Sequence, residues 1–234
     1  MTELNLFCFP YAGAGTVEYR SWQVLFPERI RVLPVQLPGR EDRIKETPYA
    51  AMDPLVKLLF QELRSDLQKR PFAFYGHSMG AWVAYELCRE LRRQQENLPI
   101  SLFVGARWAP HLPDPFPLLS PLPDQEFLNE LQNRYQAIPP AILNNPEAMG
   151  VFLPILRADM RLLDEYQWQP EPPLSVPIHV FFGSEDPRVP SELLPPWAEH
   201  TRCSFSSQQI QGDHFFLRSA KKVLISKLLV LLPN

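Results

Sequence analysis

Phe72-Ala73-Phe74-Tyr75-Gly76-His77-Ser78-Met79-Gly80-Ala81-Trp82-Val83 is the stretch on which the reading of this chain turns. Phe72 to Tyr75 is apolar throughout, as a parallel strand covered on both faces must be. From Ala81 to Leu91 the pattern changes, with Ala84, Leu87 and Cys88 recurring at helical spacing. Between strand and helix lies a G-x-S-x-G pentapeptide, Gly76 to Gly80. A turn this tight has no room for side chains at its two flanking positions, and it pushes Ser78 Oγ out of the sheet edge at the start of a helix, where negative charge is favoured. A glycine-rich turn with an incidental serine is the plainer account, and the strand and helix on either side weigh against it.

Working outward, short apolar runs alternate with helical patterns, which makes the class α/β with a mostly parallel sheet flanked by helices. Strands are expected at Leu4–Phe9, Arg31–Val35, Phe72–Tyr75, Leu102–Val104, Ile178–Phe182 and, more weakly, Ser204–Ile210. Pro54–Leu67 and Ala81–Leu91 read as crossover helices, and Arg218–Leu232 as a C-terminal one. The alternation is interrupted at about 110–175 by a proline-rich opening, helical patterns at Asp124–Tyr135 and Pro146–Tyr166, and a closing Pro170-Glu171-Pro172-Pro173. It reads as an insertion over the sheet, with Pro154 expected to end or kink a turn.

A serine hydroxyl needs a base and a group to orient that base. In this strand-turn-helix context the chain order is serine, acid, histidine. Of the five histidines only His214 follows every plausible acid. His77 sits inside the turn and should point away from Ser78, while His111, His179 and His200 read as ordinary structural or solvated histidines. The acid belongs after the penultimate strand, in Gly183-Ser184-Glu185-Asp186-Pro187, where Asp186 is the choice, Glu185 the near rival and Asp213 a third option. An oxyanion would be met by the Met79 amide and by an amide of the loop Phe9-Pro10-Tyr11-Ala12-Gly13-Ala14-Gly15, with Tyr11 and Ala12 left open as its source. As a phosphate cradle that loop lacks the Walker-type lysine and serine.

Composition bounds the rest. With 234 residues, 45% of them hydrophobic, the chain suits one globular domain, and its weak local charge runs and net charge of −3 make nucleic acid a poor partner. Cys8, Cys88 and Cys203 form no CxxC pair and no zinc spacing, in keeping with a reduced, cytoplasmic setting. The N-terminal stretch lacks a basic n-region, and the apolar tail is broken by Ser226 and Lys227, so neither a signal peptide nor a membrane span is expected. No metal or other cofactor is expected, and a monomer is.

These elements together resemble the type II thioesterases that accompany polyketide synthases and non-ribosomal peptide synthetases. The resemblance spans nearly the whole chain. It rests on Phe9-Pro10-Tyr11-Ala12-Gly13, Leu37-Pro38-Gly39-Arg40, Gly76 to Gly80, Arg157-Ala158-Asp159, Gly183 to Asp186 and Gly212 to Leu217. It implies an α/β-hydrolase with a helical lid, Ser78, Asp186 and His214 as the triad, and acyl or peptidyl carrier proteins bearing a phosphopantetheine thioester as partners. The chain departs from the family in the Ala12-Gly13-Ala14-Gly15 loop, in Gly105 to Pro110, and in Asp213, where a second glycine is common. Phe116, Leu119, Phe127, Leu131, Tyr135, Phe152, Ile155 and Met160 are candidates for an acyl-binding wall, although most of them read as ordinary packing, since any helical cap needs an apolar underside. Arg40, Arg43, Lys45 and Arg107 are candidates for local attraction to an acidic carrier, although solvated surface charges are the better reading of them. A general acyl-CoA or ester hydrolase and a non-catalytic binding member of the fold are the competing readings.

Overall fold

A computed structural model describes residues 3–136 and 138–233; position 137, inside the expected insertion, lies outside that description. The chain runs β1 (Leu4–Phe9), α1 (Val17–Arg20), β2 (Ile30–Pro34), α2 (Met52–Leu67), β3 (Phe72–His77), α3 (Met79–Arg93), β4 (Leu102–Gly105), α4 (Asp124–Tyr135), α5 (Pro140–Leu143), α6 (Pro146–Asp164), β5 (Ile178–Gly183), β6 (Phe205–Ile210), α7 (Phe216–Ser219) and α8 (Lys221–Leu231). The strands form one sheet in the order β2-β1-β3-β4-β5-β6, and all of its pairings are parallel. This is the parallel α/β sheet read from the alternation of strands and helices, and it fits the α/β-hydrolase fold that the family resemblance implies.

Burial explains the strand sequences. β1, β3 and β4 are buried at every position, so both faces need apolar side chains. The edge strands differ: β6 carries the half-exposed run Phe205 to Gln209, and β2 ends in Pro34, which an edge tolerates because one side of its ladder is unpaired. β3 runs two residues past the expected end, since Gly76 pairs with both Phe9 and Val104 and His77 with Gly105. Behind it α3 is buried from Met79 to Leu91 and packs on β1, β3 and β4, with α2 against it.

Sheet order places the chemistry. From β1 the chain moves outward to β2, then crosses back so that β3 lies on the other side of β1. Loops leaving β1 and β3 therefore diverge at their C-terminal ends, where open α/β sheets bind ligands. The insertion lies between β4 and β5. Pro154 does not end its long helix, which is continuous from Pro146 to Asp164. Asn145 Oδ1 caps the start through the Glu147 and Ala148 amides, both at 3.1 Å, and the second half is buried through Ile155, Leu156, Met160, Leu162 and Leu163. Gly150, whose carbonyl loses its partner to the proline, is exposed to solvent, so the missing bond costs little. The expected C-terminal helix is in fact two, α7 and α8, parted at Ala220 (φ −115°, ψ 29°).

Candidate active site

At the end of β3 the backbone turns so sharply that Ser78 takes φ +53° and ψ −114°, a conformation that costs about 1–3 kcal/mol for a residue with a side chain. Its surroundings enforce it. A Cβ on Gly76 would stand 2.1 Å from the Gly80 carbonyl oxygen, and one on Gly80 would stand 2.2 Å from that of Phe9. Ser78 N–H donates to Gly105 O at 2.7 Å, pinning the turn to β4. Ser78 is thus delivered at the N-terminus of α3 and is itself buried.

From the far end of the sheet come the two groups expected to serve it. His214 Nδ1 donates to Asp186 Oδ2 at 2.7 Å, and Asp186 Oδ1 accepts the Arg188 amide at 2.9 Å. Of the three candidate acids, it is Asp186 that reaches the imidazole. Glu185 is exposed, and Asp213 is exposed with its Oδ1 taken by the Phe215 amide at 2.8 Å. Burial alone would raise the Asp186 carboxyl, but the hydrogen bond and charge of His214, the Arg188 amide and His77 outweigh it and hold the group below its ordinary range. The Nδ1–H tautomer leaves His214 Nε2 as an acceptor. Ser78 and His214 line one cavity without a hydrogen bond between them among the described residues, the loose spacing common before substrate binds.

That cavity measures about 20 Å³. Tyr11, Ala12 and Phe215 complete its floor, while Leu131, Tyr135, Leu156, Met160 and Leu163 of α4 and α6 roof it. Of the eight candidate wall residues, Leu131, Tyr135 and Met160 are there; Phe152 lines a neighbouring groove of about 350 Å³ that shares Tyr11 and Ala12, and the other four line neither, in keeping with ordinary packing for most of the set. Tyr135 also packs edge-on to the His214 ring, 5.0 Å between centroids. The Met79, Tyr11 and Ala12 amides donate no hydrogen bond among the described residues, so all three remain available to an oxyanion. A larger cavity of about 360 Å³ between α2, α3 and the end of α6 is lined by Asp53, Glu86, Arg89 and Arg93 and lies away from Ser78.

His77 does more than point away. Its Nε2 pairs with the His214 carbonyl oxygen at 2.8 Å and its Nδ1 with the Tyr75 hydroxyl at 2.9 Å, so Nε2 carries the proton and tethers the main chain of His214. Complete burial, reinforced by the nearby His214, pushes its pKa down to about 3. The only hint in the sequence was its position beside Ser78. The remaining histidines are engaged elsewhere: His200 with the Tyr85 hydroxyl at 2.8 Å and His111 at 2.7 Å, His179 with Ser206 at 2.7 Å. The four candidate cations form no exposed basic patch, and two of them, Arg40 and Arg107, are buried rather than solvated. Arg40 is buried against Asp159, Arg107 is buried between Trp82 and Trp108, and Arg43 pairs with Glu46 and Glu62, leaving Lys45 exposed. Among the described residues no cluster of three or more His, Cys, Asp or Glu could hold a metal ion, and no helix is long and apolar enough to cross a membrane.

The thioesterase domain family model matches residues 4–229. A Brevibacillus parabrevis protein named linear gramicidin dehydrogenase LgrE is 41% identical over 227 residues, covering 96% of this chain and 86% of that protein. The dehydrogenase reaction in that name belongs to that protein. Among solved structures, the RedJ thioesterase from the prodiginine pathway of Streptomyces coelicolor is 35% identical with a TM-score of 0.89, over 96% of this chain and 84% of its own. The type II thioesterase BorB from the borrelidin cluster is 34% identical with a TM-score of 0.82, over 97% and 91%.

Proposed function

The chain belongs to the thioesterase family, and on that premise we propose that it hydrolyses acyl groups from the phosphopantetheine arm of carrier proteins in polyketide or non-ribosomal peptide assembly, clearing aberrant or stalled thioesters. The observation that carries the reading is the buried His214–Asp186 pair beside a serine held at positive φ. Ser78 Oγ attacks the thioester carbonyl while His214 Nε2 takes its proton; Asp186 keeps the tautomer and stabilises the imidazolium. The oxyanion is received by the Met79 amide and by that of Tyr11 or Ala12. Collapse breaks the C–S bond, the thiolate leaves with the proton from His214, and water, deprotonated by the same ring, releases the acid and regenerates Ser78. RedJ and BorB, by their descriptions thioesterases of biosynthetic pathways, support the substrate class.

The test is release of acetyl from a phosphopantetheinylated carrier protein beside release from a small thiol, with Ser78→Ala as control. Faster hydrolysis from the carrier, lost in the variant, is expected. Equal or preferential attack on the small thioester would keep the chemistry and reassign the substrate to free acyl thioesters, and full activity in Ser78→Ala would overturn the mechanism.

A further inference from the structure

Acyl transfer at Ser78 gives no work to two sequence motifs, Leu37-Pro38-Gly39-Arg40 and Arg157-Ala158-Asp159, yet the structure brings their charged ends together. Arg40 Nη1 and Nη2 donate to Asp159 Oδ2 and Oδ1 at 2.8 Å each, a two-pronged pair with both residues buried. Asp159 Oδ2 accepts a further hydrogen bond, at 2.7 Å, from the Gly13 amide, and Arg40 Nη1 also donates to Ala14 O at 3.0 Å. Glu41, next in sequence, accepts the Thr16 and Val17 amides at 3.0 Å each. The segment that follows β1 is therefore gripped by side chains rather than by a ladder.

Its first held amide adjoins the residues that face Ser78. Fixing Gly13 N–H fixes the Ala12–Gly13 peptide plane, and with it one of the torsions that aim the Tyr11 and Ala12 amides. Gly13 has φ +78°, and a glycine beside a peptide plane lets that plane turn over at little cost, so an outside anchor is needed. The anchor belongs to the insertion: α6 carries Asp159, and Leu156 of the same helix would stand 2.7 Å from a Cβ on Gly13. A buried ion pair adds little net stability compared with apolar packing, so its value here is orientational. A carboxylate already squared by a guanidinium is a stronger and better aimed acceptor than a neutral one.

The geometry points to Asp159, aligned by Arg40, as the positioning residue of the oxyanion loop, so that the oxyanion site is assembled only while α6 is seated on Gly13. This rests on the reading of Ser78 as nucleophile with Tyr11 or Ala12 as a donor. Two changes test it: Asp159→Asn, and replacement of residue 13 by glycolic acid, which swaps the amide for an ester and deletes only the Gly13 N–H. Each is expected to lower kcat on an acyl thioester about 10²-fold with KM unchanged, the scale of a misplaced reacting group. Each should weaken binding of a trifluoromethyl ketone analogue, which forms the tetrahedral oxyanion, by the same factor, while affinity for the product acid stays as it was. Arg40→Lys, keeping charge but losing the fork, should fall between these and the native protein. Combining the two changes should cost no more than either alone. The inference is overturned if the ester retains native kcat and ketone affinity, including the case in which Asp159→Asn simply fails to fold. Ser78→Ala run alongside separates the two claims: a dead serine variant with a fully active ester sinks the positioning role alone, whereas an active serine variant sinks the reading on which it rests.

Discussion

The floor and roof of the cavity beside Ser78 are built on different principles. Tyr11, Ala12, Ser78 and His214 follow parallel strands whose register fixes where each group stands. Leu131, Tyr135, Leu156, Met160 and Leu163 come from α4 and α6, which are held by apolar burial and a few polar ties: the Asp159–Arg40 fork, the Asp164 carboxylate on the Leu119 and Ser120 amides at 2.8 and 2.6 Å, and the Tyr166 hydroxyl on Glu86. In the floor individual atoms have assigned partners, so a small displacement changes the chemistry. The side chains that the roof turns toward the cavity are specified mainly by volume and apolarity, and a packed apolar layer tolerates volume-conserving exchange far better. Substitutions facing the cavity should therefore cost rate when they fall below it and selectivity, at little cost in rate, when they fall above it.

The strongest way to break that contrast is at the elbow. Gly80→Ala puts a methyl 2.2 Å from the Phe9 carbonyl oxygen, a backbone atom in a central strand that cannot yield, and should cost about 4 kcal/mol or more. Urea denaturation, or failure to recover folded protein, reads this; a stable and active Gly80→Ala protein would show that the floor can move. Next in size is Asp186→Asn, which preserves shape but removes the charge that selects the Nδ1–H tautomer of His214. A fall in kcat of about 10⁴-fold is expected, in a protein that melts somewhat earlier because the charge that His214 and the Arg188 amide stabilise is gone, but that is still folded at the assay temperature. Steady-state kinetics and a melting curve together check it, and a loss of only tenfold would mean that something other than Asp186 orients the ring.

What could be read from the sequence follows the same division. Strand, elbow, acid loop and histidine were legible because each needs a residue type that little else can replace: glycines where no Cβ fits, an apolar run where both faces are covered, a serine and a histidine in fixed order. The preference for Asp186 over Glu185 and Asp213 had little to rest on in the sequence, because neighbouring carboxylates differ only in where the loop aims them; in the structure Asp186 is buried and bonded to His214 while the other two are exposed. The roles of Arg40 and His77 were hidden for a related reason. An arginine in a loop reads as solvated, and its burial depends on Asp159, which is 119 positions away. Five of the eight candidate wall residues do not line the cavity; helical periodicity gives an apolar face, which most of them use for ordinary packing, but not the angle at which that face meets the sheet.

The roof supplies a smaller effect of a different kind. A volume of about 20 Å³ holds about one water molecule, so an acyl chain has to displace roof side chains to reach Ser78. Leu131→Ala removes bulk from a buried position on α4 and should lower stability by about 2–4 kcal/mol through the cavity it leaves. With the floor untouched, kcat on acetyl thioester should hold within about threefold, while the ratio of kcat/KM for octanoyl over acetyl should rise by about tenfold, the scale of a pocket gaining room for one or two methylenes. An unchanged ratio would place the acyl chain elsewhere, and a large loss on acetyl would blur the distinction between the halves.

The smallest effect probes the floor through pH. His77 is wholly buried, neutral and bonded at both nitrogens, with a pKa pushed down to about 3, whereas an unfolded histidine titrates near 6.5. Between those values the unfolded chain binds a proton that the folded protein refuses. Stability from this residue is therefore complete above about pH 6.5 and falls as pH is lowered, by up to about 1.4 kcal/mol per unit, until about pH 3. His77→Gln can place its amide where the imidazole Nε2 stands, keeping a donor for the His214 carbonyl, but cannot be protonated. Its stability should start lower at pH 7.5, through lost packing and the lost Tyr75 bond, and then decline more gently with acid than that of the native protein. The decline does not vanish, because burial and the neighbouring His111 hold His200 down at about 4, and Asp186 adds its own loss once pH falls through its depressed value. Urea denaturation at pH 7.5, 6, 5 and 4 measures the two slopes. Parallel slopes would mean that residue 77 takes up its proton in the folded state at an ordinary pKa, and that the main chain of His214 is held by something other than a buried neutral imidazole.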